Sequence, residues 1–395
     1  MTYLDHAATT EMLAVAREAY VNASGRLGNA SSLHASGRAA RRLVEESREQ
    51  IAERLGASPS EVVFTSGGTE SDNLAIKGLF WGARRTDERK NRILVSGTEH
   101  HAVLDVVHWL QEHEGARISW LPVDAMGHIS PADVVSALEE HGDETAVTTV
   151  MWANNEVGTI APVPEIAAAC VNAGVPCHSD AVQAAGSVPI DFEASRLTAL
   201  SVSGHKLGGP MGVGALLLSR DAACTPVLHG GGQEREVRSG TIDVAGIAAF
   251  AAAVTESIDS MDKTAERMRA LRDDLIRRVR EVVPSAVLNG DPDDRLPGNI
   301  HFSFPGCEGD ALLLVLDAAG VECATGSACS AGVSQPSHVL LAMGASEERA
   351  RSSLRFSLGY SSTAADVDAL LDALPQAVAR AQAAGLSLPA GSGGA

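Results

Sequence analysis

The stretch SVSGHKLGGPMGVGAL, residues 201–216, links two apolar runs through a glycine-rich turn. The run ALSVS at 199–203 predicts one strand, and VGALLLS at 213–219 predicts the next. His205 and Lys206 follow the first of these strands directly. Because open α/β sheets bind ligands at the carboxyl ends of their strands, the stretch predicts such a sheet with a lysine at its ligand-binding edge. The competing interpretation is an ordinary surface lysine.

Five further β-rich runs precede this stretch and alternate with helical patterns. They are EVVFTS (61–66), RILVS (92–96), ARISWLPV (116–123), AVTTVMW (146–152) and VPCHSD (175–180). Strands separated by helices favour a mainly parallel sheet that is covered by helices on both faces. We therefore predict an α/β protein whose large domain holds a mainly parallel seven-stranded sheet.

The pattern changes after residue 240. The segment GDPDDRLPGN at 290–299 has the composition of a loop, and it follows a helix whose stripe contains Met268, Leu271, Leu275 and Val279. A last helix begins after Thr363 and Asp366, which have nearly the spacing of a capping box. It places Val367, Leu370, Leu371, Leu374 and Val378 on one face. A smaller α/β domain is expected here.

Charge and composition exclude several classes of protein. The 395 residues include 31 Lys and Arg against 50 Asp and Glu, a net charge of -19 that repels nucleic acid as a direct partner. No apolar run approaches the roughly 18 residues of a membrane span, and the start MTYLDHAATT lacks the pattern of a signal peptide. The six cysteines form no CxxC pair, so neither a disulfide framework nor a zinc site is indicated. We expect a cytoplasmic enzyme without a resident metal.

Residues far apart in the chain together meet the needs of pyridoxal 5'-phosphate. That cofactor needs a lysine for its Schiff base, an acid opposite the ring nitrogen, a flat side chain over the ring and a phosphate cradle. Asp180 ends a predicted strand and can keep the ring nitrogen protonated, although an isolated Asp there is more often a helix cap. Gln183, three residues later, can donate to the ring hydroxyl oxygen.

The segment TSGGTESDN at 65–73 predicts the phosphate cradle. It reads as a strand, glycines and a helix start, so the N–H groups of Gly68 and Thr69 and the helix dipole face an anion. This pattern is weak in isolation. Ser203 and His205 can complete the cradle from the lysine loop.

Two further polar residues follow predicted strands. His100 can stack on a ring or move protons near neutral pH, whereas His101 is interpreted as a solvated residue. The amide of Asn155 can reach the ring or the substrate.

As a set, these residues resemble the pyridoxal-phosphate-dependent cysteine desulfurases, in the class V branch of aminotransferase fold type I. The resemblance covers nearly the whole chain, and its combination of motifs is highly specific. It is carried by YLDHAATT (3–10), GNASSLH (28–34), FTSGGTESDN (64–73), TEHHAV (98–103), NNEVGT (154–159), HSDAVQAAG (178–186), SVSGHKLGGPMGVGAL (201–216), HGGGQEREVRSGT (229–241), GSACSAG (326–332) and SLRFSLG (353–359).

The resemblance implies a role for each motif residue. Lys206 forms the Schiff base, Asp180 and Gln183 hold the ring, and His100 stacks on it and exchanges protons. Gly68, Thr69, Ser203 and His205 bind the phosphate, with Asn155 near ring and substrate. Thr241 would reach the phosphate of a neighbouring subunit, which implies a homodimer. Arg355 would clamp the substrate carboxylate, which suits its planar fork.

The same resemblance implies that Cys329, in ATGSACSAG at 324–332, accepts sulfur from L-cysteine as a persulfide while L-alanine leaves. The segment resembles the family branch with a longer, mobile cysteine loop, in which this cysteine can also be a transient iron–sulfur ligand. Cys323 is interpreted as a packing residue. The implied sulfur acceptors are an iron–sulfur scaffold protein or a tRNA-thiolating enzyme, and the acidic surface makes any link to tRNA indirect.

The implied domains are an N-terminal segment at 1–14 that packs with the small domain, a large cofactor-binding domain at 15–255, and a small domain at 256–380 with the cysteine segment, followed by a tail at 381–395. Three alternatives stay open. A selenocysteine lyase would use the same lysine and cysteine, an aminotransferase would have no need of Cys329, and a non-enzymatic scaffold would bind no cofactor.

Overall fold

The computed structural model of the chain describes residues 1–326 and 335–385. The large sheet is built from the β-rich runs identified in the sequence, and all of its strands except β3 and the edge strand β4 are buried along their whole length. Its strands are β2 (Val62–Thr65), β3 (Arg92–Ser96), β4 (Arg117–Leu121), β5 (Thr145–Thr149), β6 (Cys177–Asp180), β7 (Ala199–Ser203) and β8 (Gly214–Leu218). The remaining strands are β1 (Thr2–Tyr3), β9 (Val287–Leu288), β10 (Asn299–Ser303), β11 (Val321–Glu322) and β12 (Ser353–Ser357).

The seven-stranded sheet has the order β2-β8-β7-β6-β5-β3-β4. The pairs β3–β4, β3–β5, β5–β6 and β6–β7 are parallel, whereas β8 is antiparallel to both of its neighbours. The prediction of a mainly parallel α/β sheet is confirmed. The single reversal arises because β7 returns directly to β8 through residues 204–213, which are too few for a crossover helix.

Helices cover both faces of the sheet. The helices of the described residues are α1 (Ala14–Ser24), α2 (Ala35–Arg54), α3 (Gly68–Thr86), α4 (His101–Glu114), α5 (Pro131–His141), α6 (Val163–Asn172), α7 (Phe192–Ser195), α8 (Val244–Asp259), α9 (Met261–Val282), α10 (Gly309–Ala318), α11 (His338–Ala342), α12 (Glu347–Arg351) and α13 (Ala364–Gly385). One core joins α3 and α4 to one face of the sheet, and another core joins α2, α5, α6 and α8 to the other face.

A third core lies around a small antiparallel sheet of order β12-β10-β9. The apolar stripes of α9 and α13 pack against it, as the spacing of their leucines and valines predicts. At the start of α13, Asp366 accepts from the backbone N–H of Thr363 at 2.8 Å, which confirms the predicted capping contact. The strand β1 pairs in parallel with β11. The numerical domain boundaries stay predictions.

In the described part of the chain, no helix alone has the length and apolar composition needed to cross a membrane. The pair α8 and α9 meets those two criteria only when taken together across a 67° bend.

Candidate active site

A cavity of about 420 Å³ lies where the carboxyl ends of the sheet strands face the small antiparallel sheet. Parallel strands bring these ends to one edge, so side chains from distant motifs meet there. All but two of the predicted site residues line this cavity, namely Gly68, Thr69, His100, Asn155, Asp180, Gln183, Ser203, His205, Lys206 and Arg355.

Lys206 lies in the 3-10 turn Gly204–Lys206 directly after β7. Its ammonium donates to the carbonyl oxygens of Ala7 and, at 2.8 Å, of Ala8. Burial, aided by the positive charge of Arg355, lowers the pKa of Lys206 to about 8. A substantial fraction of neutral amine therefore exists near neutral pH, which is the form that adds to a carbonyl carbon.

Asp180 is the last residue of β6 and is buried at the cavity floor. Its Oδ1 accepts from the backbone N–H of Val182 at 2.8 Å. Burial raises the pKa of Asp180 to about 6, although the Val182 hydrogen bond and the charge of Lys206 oppose the shift. A cation placed against this carboxylate would relieve the cost of burying its charge.

The predicted cradle is formed by the turn between β2 and α3. Gly67 has φ of +145°, a conformation that favours glycine, and α3 begins at the next residue. A β-carbon at Gly68 would stand 2.8 Å from a methyl group of Val182, so a side chain there would have to displace Val182. Helix N-termini present unpaired N–H groups, and this one opens into the cavity. The predicted placement of Gly68 and Thr69 agrees with this geometry.

Both predicted histidines are held in a neutral form. His100 caps α4, and its Nδ1 accepts from the N–H of Ala102 at 3.1 Å. Burial and then the charge of Lys206 lower the pKa values of His100 and His205 to about 4 each. His100 lines the cavity, and part of the residue remains accessible to solvent. A neutral imidazole with a free Nε2 proton can stack on a ring or exchange a proton there.

Arg355 lies in β12, at the opposite wall of the cavity from β6 and β7. Its Nη1 donates to the carbonyl oxygen of Asn155 at 3.0 Å, and its Nη2 donates to Oδ1 of Asp5 at 2.7 Å. The Nε atom is buried and has no hydrogen-bond partner among the described residues. The guanidinium therefore keeps a donor for a further anionic group.

Sequence reasoning missed the part that the N-terminal segment plays in the site. Asp5, Ala7 and Ala8 line the cavity, and the Ala7 carbonyl accepts from Gln183 at 2.8 Å as well as from Lys206. The signal was present in YLDHAATT, which carries the family resemblance. However, the side chains of that motif do not indicate that its backbone carbonyls accept these hydrogen bonds.

Three buried acids near the site were also missed. Asp72 and Glu156 line the cavity, and Glu99 is completely buried beside it. Burial, and then the charge of Asp180, raise the pKa of Asp72 well above the ordinary range. Burial also raises the pKa of Glu99, whose Oε1 accepts from the N–H of Met151 at 2.7 Å. Their sequence contexts, TESDN, TEHH and NNEVGT, are rich in polar residues and do not indicate which of these become buried.

Two histidines form the remaining side of the cavity. His101 was interpreted as a solvated residue, and its side chain is indeed 41% exposed. Its ring also lies 4.8 Å from that of His338, and both residues line the cavity. The contact joins the first residues of α4 and α11, which local sequence does not reveal.

Two predicted site residues are not part of the cavity as described. Thr241 is exposed and does not line it, and its reach toward a second subunit stays a prediction. Cys329 lies outside the described residues. Cys323 packs at the edge of the third core, and burial raises the pKa of its thiol to about 12, which makes it a poor nucleophile.

These residues fit pyridoxal 5'-phosphate on structural grounds. The cavity combines a lysine of lowered pKa, a buried carboxylate and a close-packed glycine turn at a helix N-terminus. The buried Oδ1 of Asn155 has no partner among the described residues, which leaves an acceptor for a bound group. Each of these features matches one need of the cofactor.

Comparison with known proteins gives one family for nearly the whole chain. The family model described as aminotransferase class-V matches residues 2–370. The chain is 57% identical over 388 residues to an IscS-like cysteine desulfurase of Mycobacterium tuberculosis, and the match covers 98% of each chain.

Two solved structures have the same fold over their full lengths. A NifS-like protein superposes with a TM-score of 0.88 at 32% identity, covering 96% of this chain and 100% of that one. A structure titled SspA in complex with cysteine has a TM-score of 0.79 at 33% identity, and it covers 91% of this chain and 99% of that one.

Proposed function

The chain belongs to the class V aminotransferase family and is a cysteine desulfurase, and we propose that it moves sulfur from L-cysteine to Cys329 and releases L-alanine. The observation that carries the proposal is the convergence of Lys206, Asp180 and Arg355 on one cavity. A scaffold protein has no need of a lysine with a lowered pKa, a buried acid and an arginine that all line the same cavity.

Pyridoxal 5'-phosphate, when bound, supplies an electron sink that stabilises negative charge at the Cα of the amino acid. We assign its ring nitrogen to Asp180, its ring hydroxyl to Gln183 and the face of its ring to His100. The phosphate is assigned to Gly68, Thr69, Ser203 and His205. Asn155 is assigned to the ring or the substrate.

Lys206 would hold the cofactor through its aldehyde and, once released by the amine of the substrate, would be the base for the Cα proton of L-cysteine. Its pKa of about 8 suits both tasks, since about a tenth of the amine is neutral at pH 7 and it remains a useful base. Displacement of its ammonium from the carbonyls of Ala7 and Ala8 accompanies either task.

Arg355 binds the carboxylate of L-cysteine and thereby fixes the direction of the side chain. Its position on β12, across the cavity from Lys206, sets the substrate between the two. The structure titled with bound cysteine belongs to a relative of the same fold, which supports cysteine as the substrate class.

Sulfur transfer requires a thiolate on Cys329. A bond forms between this sulfur and the sulfur of the substrate, while the substrate C–S bond breaks and leaves its electron pair on the three-carbon fragment. That fragment takes up protons and leaves as L-alanine, so the enzyme keeps a persulfide. His100 exchanges protons beside the reacting atoms.

The remaining parts of the proposal concern partners and location. We propose a cytoplasmic homodimer in which Thr241 of each chain reaches the phosphate site of the other. The persulfide sulfur would pass to an iron–sulfur scaffold protein, with a tRNA-thiolating enzyme as the second acceptor to test. The net charge of -19 disfavours direct contact with tRNA.

Replacement of the two neighbouring cysteines tests the function. In Cys329→Ala, cofactor absorbance should persist while alanine formation from L-cysteine falls to the uncatalysed level. In the matched variant Cys323→Ala, both should persist, because that thiol packs in a core. Full activity of Cys329→Ala would overturn the assignment, and absence of alanine formation by the unaltered protein would overturn the function itself.

A further inference from the structure

Glu156 is a carboxylate with 1% exposure in the wall of the cavity, and none of the steps above uses it. It follows Asn154 in the NNEVGT motif. The side-chain oxygen of Asn154 accepts from the N–H groups of Glu156 and Val157, each at 2.9 Å, and its amide donates to the carbonyl of Thr98 at 2.9 Å. The backbone of Glu156 is therefore rigidly held beside the large sheet.

The carboxylate of Glu156 lies next to the first residues of the described range 335–385. Ser337 donates from Oγ to Glu156 Oε2 at 2.5 Å, and the same hydroxyl accepts from the N–H of Leu340. His338 follows, with Nδ1 3.9 Å from Glu156 Oε1 and with Nε2 donating to the carbonyl of Glu99 at 2.9 Å. The start of α11 is thus fastened to the cavity wall.

The same carboxylate lies close to Gly326, the last residue of the described range 1–326. Gly326 has φ of +86°, and a β-carbon there would stand 3.3 Å from Glu156 Oε2 and 3.1 Å from Nε2 of His301. Two residues earlier, Ala324 pairs with Arg355 through both backbone hydrogen bonds, Ala324 N–H to Arg355 carbonyl and the reverse. The outgoing chain therefore lies against Glu156 and against the backbone of the proposed substrate clamp.

We propose that Glu156 is a positioning residue for sulfur transfer, because its buried carboxylate binds Ser337, which follows the Cys329 segment, and lies beside Gly326, which precedes it. This inference rests on the proposed function and adds a role to it. The carboxylate accepts from Ser337 on one side, and on the other it lies close to Gly326, where a β-carbon would stand 3.3 Å from Oε2. The backbone of Glu156 adjoins Asn155, whose carbonyl accepts from Arg355, so removal of the carboxylate alone leaves that contact of the substrate clamp in place.

The physical reason for such an anchor is positional. A thiolate must approach the substrate sulfur along a narrow range of directions, and errors of about 1 Å in placing reacting groups can lower a rate about a hundredfold. Two fixed ends limit the volume that the intervening chain can explore. A buried carboxylate suits this task because it accepts charge-assisted hydrogen bonds.

The decisive experiment compares Glu156→Ala, Glu156→Gln and Ser337→Ala with the exposed control variants Glu139→Gln and Ser136→Ala. Single-turnover persulfide formation on Cys329 should fall about ten- to a hundredfold in Glu156→Ala. Glu156→Gln, which keeps one acceptor for Ser337, should recover part of this loss. The midpoint of the absorbance change on titrating L-cysteine should stay within about twofold of the unaltered protein, since Arg355 and Lys206 remain.

A second readout needs neither substrate nor activity. In the cofactor-loaded protein, amide hydrogen exchange of peptides covering 321–326 and 335–345 should quicken about tenfold in Glu156→Ala and Ser337→Ala, while exchange in β7 stays unchanged. Unchanged exchange and unchanged persulfide formation would overturn the inference. Equal loss of protection in β7 would also overturn it, because the effect would then be general destabilisation. Should Glu156→Ala fail to fold, Ser337→Ala decides by the same two readouts.

Discussion

Arg355 and Asp5 form an ion pair at 2.7 Å across 350 residues of chain, with both side chains in the wall of the cavity. The pair orients the guanidinium that we assign to the substrate carboxylate. It also means that an acidic residue of the N-terminal segment offsets the positive charge of the clamp. The substrate carboxylate must therefore bind through donors that Asp5 leaves available, such as the unpartnered Nε.

Replacement of Arg355 should weaken substrate binding. In Arg355→Ala we expect the KM for L-cysteine to rise about 10- to 100-fold, the equivalent of about 1.5–3 kcal/mol for hydrogen bonds to a charged group. Arg355→Lys should recover only part of the loss, because an ammonium lacks the planar fork. Steady-state alanine formation measures this, with the exposed Arg277→Ala as control. An unchanged KM in Arg355→Ala would exclude the clamp.

The pKa of Lys206 predicts how cofactor uptake depends on pH. Only the neutral amine adds to the cofactor aldehyde, and the pKa of Lys206 is about 8. The uptake rate of the cofactor-free protein should therefore rise as pH increases from 6 to 9, with a midpoint of about 8. Stopped-flow absorbance measures this rate. Lys206→Arg should show no such rise, and a midpoint near the ordinary lysine value of 10.5 would contradict the lowered pKa.

His178 predicts a loss of stability in acid. It is completely buried between Thr149 and Ser201, and burial lowers its pKa from 6.5 to about 3. Below pH 6.5, His178 is protonated in the unfolded chain but stays neutral in the folded protein. The free energy of unfolding therefore decreases as the pH falls. Between pH 7 and 5 this histidine alone should remove about 2 kcal/mol from the free energy of unfolding.

The variant His178→Gln tests this prediction, because glutamine keeps a donor and an acceptor but does not titrate. Urea unfolding at pH 7 and pH 5 should give a difference about 2 kcal/mol smaller in the variant than in the unaltered protein. Equal differences in the two proteins would show that His178 takes up its proton equally in both states.

Replacement of the buried Glu234 should destabilise the fold, whereas replacement of the nearby exposed Glu236 should have almost no effect. Its carboxylate accepts two hydrogen bonds from Arg48 at 2.8 Å each and one from the N–H of Phe64 at 2.9 Å. Glu234→Gln would remove one of the two carboxylates that pair with the buried Arg48, leaving only Glu45, so we expect a loss of about 3 kcal/mol in the free energy of unfolding. Glu236→Gln, at an exposed site two residues later, should change it by at most about 0.5 kcal/mol. Similar effects in both variants would contradict the buried pair.

Much of the fold was predictable because its determinants are local. Each of the seven strands of the large sheet has four or five residues and falls within one of the β-rich runs that read directly from the sequence. The capping of α13 by Asp366 also depends on residues three apart. The reversed direction of β8 was not predicted, although the short connection at 204–213 that causes it can be read from the sequence.

The residue types of the site could likewise be predicted from the sequence. Few functions other than cofactor binding explain a lysine, an aspartate and glycines together at strand ends. Parallel strands then bring such ends to one edge, so Lys206, Asp180 and Gly68 meet without any further information. Their partners were not visible. A backbone carbonyl such as that of Ala7 carries no sequence signal, whatever it accepts.

By itself, the sequence determined the strands, the strand-end chemistry and the family. Only the tertiary structure decided that Asp5 pairs with Arg355, that the pKa of Lys206 falls to about 8, and that Glu156 lies between Gly326 and Ser337. The physical reason is the range of the interactions involved. Periodicity and capping act over a few residues, whereas burial, charge pairing and anchoring depend on which distant segments pack together.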